Sequence, residues 1–118
     1  MENHTIYTSV CWFLHVNIIR AVQFLHRRGP IARALSYQIL AAGTSVGSNY
    51  EESDGASSIA DFLSKLRIAL KEAKETRFRL KVCRRSGLLD AEFEPLVQES
   101  DEIVRILGKI VHNTRRGL

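Results

Sequence analysis

Helical periodicity runs through almost the whole chain and leaves room only for short turns. Apolar residues recur every three or four positions in four segments, and no stretch shows the alternation typical of a strand. The predicted helices cover about residues 6–28, 30–52, 58–86 and 90–114. Because connections this short force neighbouring helices to run antiparallel, the sequence predicts an all-α fold. We expect an antiparallel up-down four-helix bundle that forms a single domain over residues 1–118.

Local signals mark the ends of these predicted helices. Gly29-Pro30 separates the first two, because Gly suits a C-terminal cap and Pro suits the first helical position. Ser58 followed by Asp61 resembles a capping box at the start of the third helix. Gly87 is expected to end the third helix, and Asp90 is expected to cap the fourth.

The first predicted helix is apolar on more than one face. A one-sided surface helix needs an apolar stripe of about 100°, and this helix exceeds it. Its apolar residues are Val10, Trp12, Phe13, Leu14, Val16, Ile18, Ile19, Val22, Phe24 and Leu25. We expect one side to face the bundle core and the other to face a neighbouring subunit. The sequence therefore predicts a homo-oligomer.

The same segment raises the question of a membrane span, and its polar residues argue against one. The apolar run over residues 10–25 is shorter than the roughly 20 residues that a spanning helix needs. It is interrupted by His15, Asn17, Arg20 and Gln23.

The two cysteines are far apart in sequence, which predicts buried, reduced thiols rather than a zinc site or a disulfide. We expect a cytoplasmic protein with no membrane association.

Basic residues gather at one expected end of the bundle. The net formal charge is +4, and Arg supplies 12 of the 17 basic residues. In an up-down bundle the first and third connections lie at the same pole. The candidate nucleic-acid-binding residues at that pole are Arg27, Arg28, Arg33, Arg79, Lys81, Arg84 and Arg85. The opposite pole carries Glu51, Glu52, Asp54 and Asp61, partly offset by Arg115 and Arg116. Arg near a helix C-terminus also complements the helix dipole, and that explanation stays open beside an anion site.

Residues 43–52 carry small and polar side chains in the middle of the second predicted helix. Gly43 and Gly47 are four apart, which puts them on one helix face and allows another backbone to come close. Asn49 follows Ser45 by four residues, and a buried Asn amide needs hydrogen-bond partners. Close packing alone remains the simpler explanation for this stretch. We assign a structural or interface role to Gly43, Ser45, Gly47, Asn49, Glu52, Lys71 and Glu75.

Catalytic chemistry finds little support in the sequence. His4, His15, His26 and His112 lie in no metal-binding or triad spacing, and no Glu is followed three residues later by His. Phosphate loops and nucleophile elbows are absent as motifs. Cys11 and His15 share a helix face, but two ligands do not complete a metal site. We expect no enzymatic activity, no cofactor and no metal.

The motif in the second helix resembles a known family. Gly43-Thr44-Ser45-Val46-Gly47-Ser48-Asn49-Tyr50, with Glu52 following, resembles the signature of bacterial four-helix-bundle proteins encoded in intervening sequences of 23S rRNA genes. The third helix is similar at Asp61-Phe62, Lys65, Ile68-Ala69, Lys71-Glu72-Ala73 and Glu75-Thr76-Arg77. The similarity is good over residues 35–85, and the first and fourth helices match only as a pattern.

This resemblance implies an up-down protomer that assembles into a ring, commonly a homopentamer. A related branch is the accessory protein of the reverse transcriptase in diversity-generating retroelements, where a basic ring surface engages nucleic acid and the polymerase. Two departures weaken that expectation for the second helix. Ala41 and Glu51 stand where similar family members often carry basic residues.

Two functions follow as expectations. The first is a non-enzymatic oligomeric adaptor that binds RNA or DNA through a basic ring surface. The alternative is a protein–protein interaction or assembly scaffold with no nucleic-acid role, whose partner is a protein such as a reverse transcriptase.

Overall fold

The computed structural model describes residues 2–117, with side chains from residue 9 onward. Its four helices are α1 (Glu2–His26), α2 (Pro30–Asp54), α3 (Ile59–Arg85) and α4 (Glu94–Arg116). Each helix packs along two neighbours: α1 on α2 and α4, and α3 on α2 and α4. The helices α1 and α3 are therefore diagonal in an elongated bundle of 47 × 21 × 19 Å. The predicted all-α four-helix bundle is confirmed.

The helix boundaries differ from the predicted ones by two to four residues at several ends. The largest differences are at the starts of α1 and α4. A short 3₁₀ turn, Ala91–Phe93, precedes α4, and the Asp90 side chain makes no capping hydrogen bond. Instead, the Phe93 N–H donates to the Asp90 backbone carbonyl at 3.1 Å. The chain thus turns through backbone hydrogen bonds before the helix begins, and the expected Asp90 cap is wrong.

The other turn signals act as the sequence predicts. Gly29 and Gly87 have φ angles of +105° and +82°, a left-handed conformation that side chains with a Cβ avoid. At the start of α3, the Asp61 N–H donates to Ser58 Oγ at 3.0 Å. The Asp61 carboxylate in turn accepts the Ser57 N–H at 3.1 Å, one residue earlier than in the usual capping box.

The core is a continuous cluster of aliphatic side chains from all four helices. Burying each large side chain contributes about 1.5–3 kcal/mol. The largest buried residues are Leu14, Ile18, Leu25, Ile39, Val46, Leu66, Leu80, Leu89, Ile103 and Leu107. Because every helix contributes to the cluster, the orientation of each helix about its own axis is well determined.

The opposite face of α1 stays uncovered in the single chain. Trp12 is 65% exposed, and Val16 and Ile19 are exposed beside it at helical spacing. We call these three residues the α1 stripe. A second set of exposed apolar side chains, Ile68, Phe78 and Val82, lies on α3 and is called the α3 stripe. The two stripes lie on diagonally opposed helices.

Two glycines on α2 make room for side chains of α1. A Cβ on Gly43 would lie 3.1 Å from Cγ2 of Ile18. A Cβ on Gly47 would collide with the imidazole of His15, at 2.9 Å from Nε2. The predicted close approach is present, but side chains of α1 fill the space rather than its backbone.

Replacing Gly47 by Ala should therefore destabilise the protein by about 1–2 kcal/mol, despite the better helix propensity of Ala. Gly108→Ala is the matched control, because nothing lies within 4 Å of a Cβ at that helical position. It should stabilise the protein by about 0.5–1 kcal/mol. Urea denaturation measures both changes.

A double-mutant cycle identifies the cause of the destabilisation. In a His15→Ala background the ring is gone, so Gly47→Ala should become neutral or stabilising. Equal stability of Gly47→Ala and Gly108→Ala in the native background would contradict the proposed clash.

Candidate functional site

The first and third connections lie side by side at one end of the bundle. Nη2 of Arg28 donates to the backbone carbonyl of Gly87 at 3.1 Å. The guanidinium of Arg28 also lies over the ring of Phe24, 5.1 Å from its centroid. Phe24 packs against Phe93 with their ring centroids 5.0 Å apart. These contacts join the end of α1 to the start of α4, so the two connections share one pole as predicted.

Carboxylates neutralise three of the seven candidate basic residues. Nε of Arg84 is 2.8 Å from a Glu94 carboxylate oxygen. Lys81 pairs with Asp101 at 3.3 Å, and Arg79 pairs with Glu75 at 3.6 Å. Glu94 and Asp101 lie on α4. The charges of Arg84 and Arg79 are therefore compensated within the fold, and that of Lys81 in part, because Asp101 also pairs with Arg77 at 3.5 Å. Less of each charge is left for a partner.

The other four candidates have no carboxylate partner among the described residues. Nε of Arg33 donates to the His26 carbonyl at 3.2 Å, and Arg28 also donates to a carbonyl; a carbonyl does not cancel the charge. The side chains of Arg27 and Arg85 are exposed and form no hydrogen bond or ion pair with any other described residue. We call these four residues, Arg27, Arg28, Arg33 and Arg85, the arginine pole.

The helix dipole accounts for only part of this cluster. Arg27 and Arg28 follow the end of α1 and Arg85 ends α3, where a positive charge is favourable. Arg33 lies in the first turn of α2, where the dipole disfavours a cation, and that turn carries no acidic residue. Arg33 therefore adds positive charge at an end where the dipole is already positive.

The motif residues of α2 are not joined into one network. Nδ2 of Asn49 donates to the backbone carbonyl and to Oγ of Ser45, at 2.9 and 3.0 Å within the same helix. Glu52 pairs with Lys65 across α2 and α3 at 3.3 Å. Lys71 is exposed and has no ion pair among the described residues. Within the described chain, Glu52, Lys71 and Glu75 are therefore not joined in one network, and the interface role assigned to them stays a prediction.

His15 uses both ring nitrogens within the protein. Nδ1 donates to the Cys11 carbonyl at 2.6 Å, and Nε2 accepts the Gly47 N–H at 3.3 Å. Nδ1 is also 3.3 Å from Sγ of Cys11. A cavity of about 210 Å³ adjoins this pair, and burial raises the pKa of Tyr50 in its wall to about 12. Among the side chains that the structure describes, from residue 9 to residue 117, no three His, Cys, Asp or Glu come together as a metal site would require.

A larger groove lies between α1 and α4, which the sequence reasoning missed. It has a volume of about 370 Å³. Three phenylalanines, three polar or charged residues, a proline and a leucine line it: Phe13, Asn17, Arg20, Phe24, Glu92, Phe93, Pro95 and Leu96. We call it the α1–α4 groove. Phe24 lies in it directly beneath the Arg28 guanidinium, so the groove reaches the arginine pole.

One carboxyl beside this groove has an altered acidity. Glu99 on α4 accepts a hydrogen bond from Nδ2 of Asn17 at 3.5 Å. Burial raises the pKa of Glu99 to about 7, the hydrogen bond from Asn17 opposes that rise, and the neighbouring Glu102 charge adds to it. Only the packing of α1 against α4 creates this environment, so no sequence motif indicates it.

None of the helices, over the described residues, is both long and apolar enough to cross a membrane.

Comparisons with known proteins give a consistent picture. The family model for the 23S rRNA-intervening sequence protein matches residues 13–109. The chain is also similar to a crystal structure of a protein of unknown function from the S23 ribosomal protein family of Bacteroides thetaiotaomicron. The two are 35% identical with a TM-score of 0.80, over 89% of this chain and 97% of the other. A comparison with curated proteins finds no match.

The raised pKa of Glu99 predicts a specific pH dependence of stability. The folded pKa is about 7, and the unfolded pKa is about 4.3. Between these values the folded state holds a proton that the unfolded state has released, so the stabilisation is present at low pH and is lost as pH rises through 7. Glu99→Gln should therefore exceed the native protein in stability at pH 8 by on the order of 1 kcal/mol, discounted for partial exposure.

Urea denaturation at pH 4.5 and pH 8 measures this difference, which should almost vanish at the lower pH. Glu51→Gln is the control, because it removes an exposed carboxylate from α2, away from the surroundings of Glu99. A stability difference between Glu99→Gln and the native protein that is the same at both pH values would contradict the interpretation.

Proposed function

This chain belongs to the 23S rRNA-intervening sequence protein family, and we propose that it acts as a non-enzymatic oligomeric adaptor that binds RNA or DNA through its arginine pole. The observation that carries the proposal is the group of four uncompensated guanidinium groups at one end of the bundle. Arg presents planar, paired donors that match the oxygens of a phosphate. We infer a cytoplasmic setting, which the two buried cysteines support because neither forms a disulfide in the described chain.

The arginine pole of one protomer is a modest phosphate-binding surface. Four charges neutralise few phosphates, and the affinity of such contacts falls steeply with salt. Repeating the same pole in an oligomer multiplies the contacts without changing any residue. The proposed function therefore requires an oligomer in which the arginine poles of all subunits face the same side.

The two apolar stripes support such an assembly. Because the α1 stripe and the α3 stripe are different surfaces on diagonally opposed helices, pairing one with the other joins successive copies head to tail. A head-to-tail contact produces a closed ring when its rotation closes. A homopentamer is the size favoured by the family resemblance.

The levels of the two stripes along the bundle agree with a ring. Ile19 precedes the end of α1 by seven residues, and Phe78 precedes the end of α3 by seven, so both lie about 10 Å from the arginine pole. By the same rise, the α1 stripe extends to about 21 Å at Trp12, and the α3 stripe extends from about 4 Å at Val82 to about 26 Å at Ile68. A rotation axis parallel to the bundle requires the two stripes to overlap in level, and it would put every arginine pole on one face of the ring.

The alternative is an assembly scaffold whose partner is a protein, such as a reverse transcriptase. The internal pairing of Arg79, Lys81 and Arg84 with carboxylates favours it, because those residues then offer little net charge to a phosphate backbone. The same ring would serve this function. The two functions differ in how strongly salt weakens the binding of the partner.

Removing charge at the arginine pole should reduce the salt dependence of nucleic-acid binding. We expect the Arg27→Gln/Arg85→Gln double variant to bind a fluorescein-labelled 20-nucleotide RNA more weakly. The slope of log K against log salt should become shallower by about 0.7 for each phosphate of a single strand that is no longer neutralised, or by about 0.9 for a duplex. Fluorescence anisotropy over a KCl series measures the slope.

The control is Arg105→Gln/Lys109→Gln, which removes the same charge from exposed positions on α4. These residues lie 11 and 15 positions after the start of α4, about 16 and 22 Å from the pole. Equal slopes for the two double variants would contradict an arginine-pole site. If the native protein binds no RNA or DNA at low salt, the scaffold function takes precedence.

Charge introduced into either stripe should break the assembly. Ile19→Glu on α1 and Phe78→Glu on α3 should each dissociate the native oligomer into smaller species. Each substitution would bury an unpaired carboxylate in the proposed contact between the two stripes, which is energetically costly. Sedimentation velocity and native mass measurement give the subunit number.

Ile31→Glu is the matched control, since Ile31 is also an exposed large aliphatic residue but belongs to neither stripe. It should leave the oligomer intact. If Ile19→Glu dissociates the oligomer while Phe78→Glu does not, the contact pairs α1 with α1, and the head-to-tail ring is wrong.

A further inference from the structure

We propose that the α1–α4 groove is a stacking subsite for one unpaired base of a single-stranded nucleic acid. The inference rests on the proposed function and deepens it, because it adds a contact to a base beside contacts to phosphates. Phosphate contacts are indifferent to base identity and weaken with salt. A stacked base adds an interaction that depends little on salt.

Three aromatic rings line the groove. Phe24 and Phe93 pack at 58° to each other at the end nearest the arginine pole. Phe13 lies eleven residues before Phe24 on α1, about 16 Å from it, and is 58% exposed, so much of its ring is available for one base. Single-stranded bases are recognised by stacking on such rings. The volume of about 370 Å³ is within the range of about 300–1,000 Å³ for small-molecule sites.

Polar groups on the rim match the hydrogen-bonding edges of a base. Arg20 and Glu92 line the groove and have no ion pair among the residues described, so a guanidinium donor and a carboxylate acceptor are both available. The amide nitrogen of Asn17 already donates to Glu99, which leaves the amide oxygen of Asn17 as an acceptor. A base presents both donors and acceptors at its edges, whereas an aliphatic chain presents neither.

Electrostatics favours a nucleic-acid strand as the occupant. The Arg28 guanidinium that covers Phe24 belongs to the arginine pole. A strand whose phosphates contact Arg27 and Arg28 would therefore pass the open end of the groove. An aromatic side chain of a protein partner could pack against the same phenylalanine rings, but such packing gains nothing from the neighbouring charges of the arginine pole.

The test combines one variant with a probe that lacks bases. Phe13→Ala should weaken binding of the full chain to a 20-nucleotide single-stranded RNA by about 5- to 150-fold, the range for removing the stacking of one base. The slope of log K against log salt should stay unchanged, because every phosphate contact remains. Phe13→Trp should retain the affinity, and its fluorescence should be quenched by the RNA. Circular dichroism checks that the exposed substitution leaves the fold intact.

A strand of the same length and charge with abasic sugars is the second probe. The native protein should bind it more weakly than RNA, and Phe13→Ala should bind both strands equally. Tyr37→Ala is the control variant, because Tyr37 is an exposed aromatic residue on α2, outside the groove. Tyr37→Ala should change neither the affinity for the RNA nor the affinity for the abasic strand.

The outcomes separate the two levels of the proposal. If the native protein binds both strands equally and with strong salt dependence, the stacking subsite is wrong while the arginine-pole function stands. If it binds neither strand at low salt, the proposed function and this subsite both fail. If Tyr37→Ala costs as much as Phe13→Ala, the effect does not belong to the groove.

Discussion

The close approach of α1 to α2 at Gly43 and Gly47 is the interaction on which the rest of the molecule depends. The two glycines allow Ile18 and His15 to lie against the α2 backbone, and the Gly47 N–H holds the imidazole in place. This packing fixes the rotation of α1 about its axis. Apolar residues on one side of α1 then enter the core, and the α1 stripe is left facing outward.

The same packing decides which positive charges stay available. Asp101 and Glu94 on α4 meet Lys81 and Arg84 of α3 because those helices are neighbours. Among the described residues, no carboxylate pairs with the arginines that end α1 or begin α2, so these side chains donate to carbonyls or have no described partner. Four arginines without a described carboxylate partner therefore lie together at one end of the bundle, as the arginine pole.

Local sequence signals predicted the fold well and the site only in part. The bundle and most helix ends could be predicted because their signals lie within short stretches of sequence. These signals are the helical apolar periodicity of four segments, the turns at Gly29 and Gly87, and the Ser58 cap. The 3₁₀ turn before α4 and the pairing of basic residues with α4 carboxylates depend on how helices pack, which one sequence does not reveal. The α1–α4 groove and the raised pKa of Glu99 arise only from burial between two distant segments.

The contacts of Arg28 have a consequence for the energetics of the proposed recognition. Its side chain is already held by a carbonyl and an aromatic face, so under the proposed function it would lose little rotamer freedom when a phosphate binds. Arg33 is likewise held, by the His26 carbonyl. Arg27 and Arg85 make no such contact with a described residue and would each lose about 0.5–1.5 kcal/mol on immobilisation. In the proposed complex, Arg28 and Arg33 would therefore make the first ordered contacts, and Arg27 and Arg85 would become ordered afterwards.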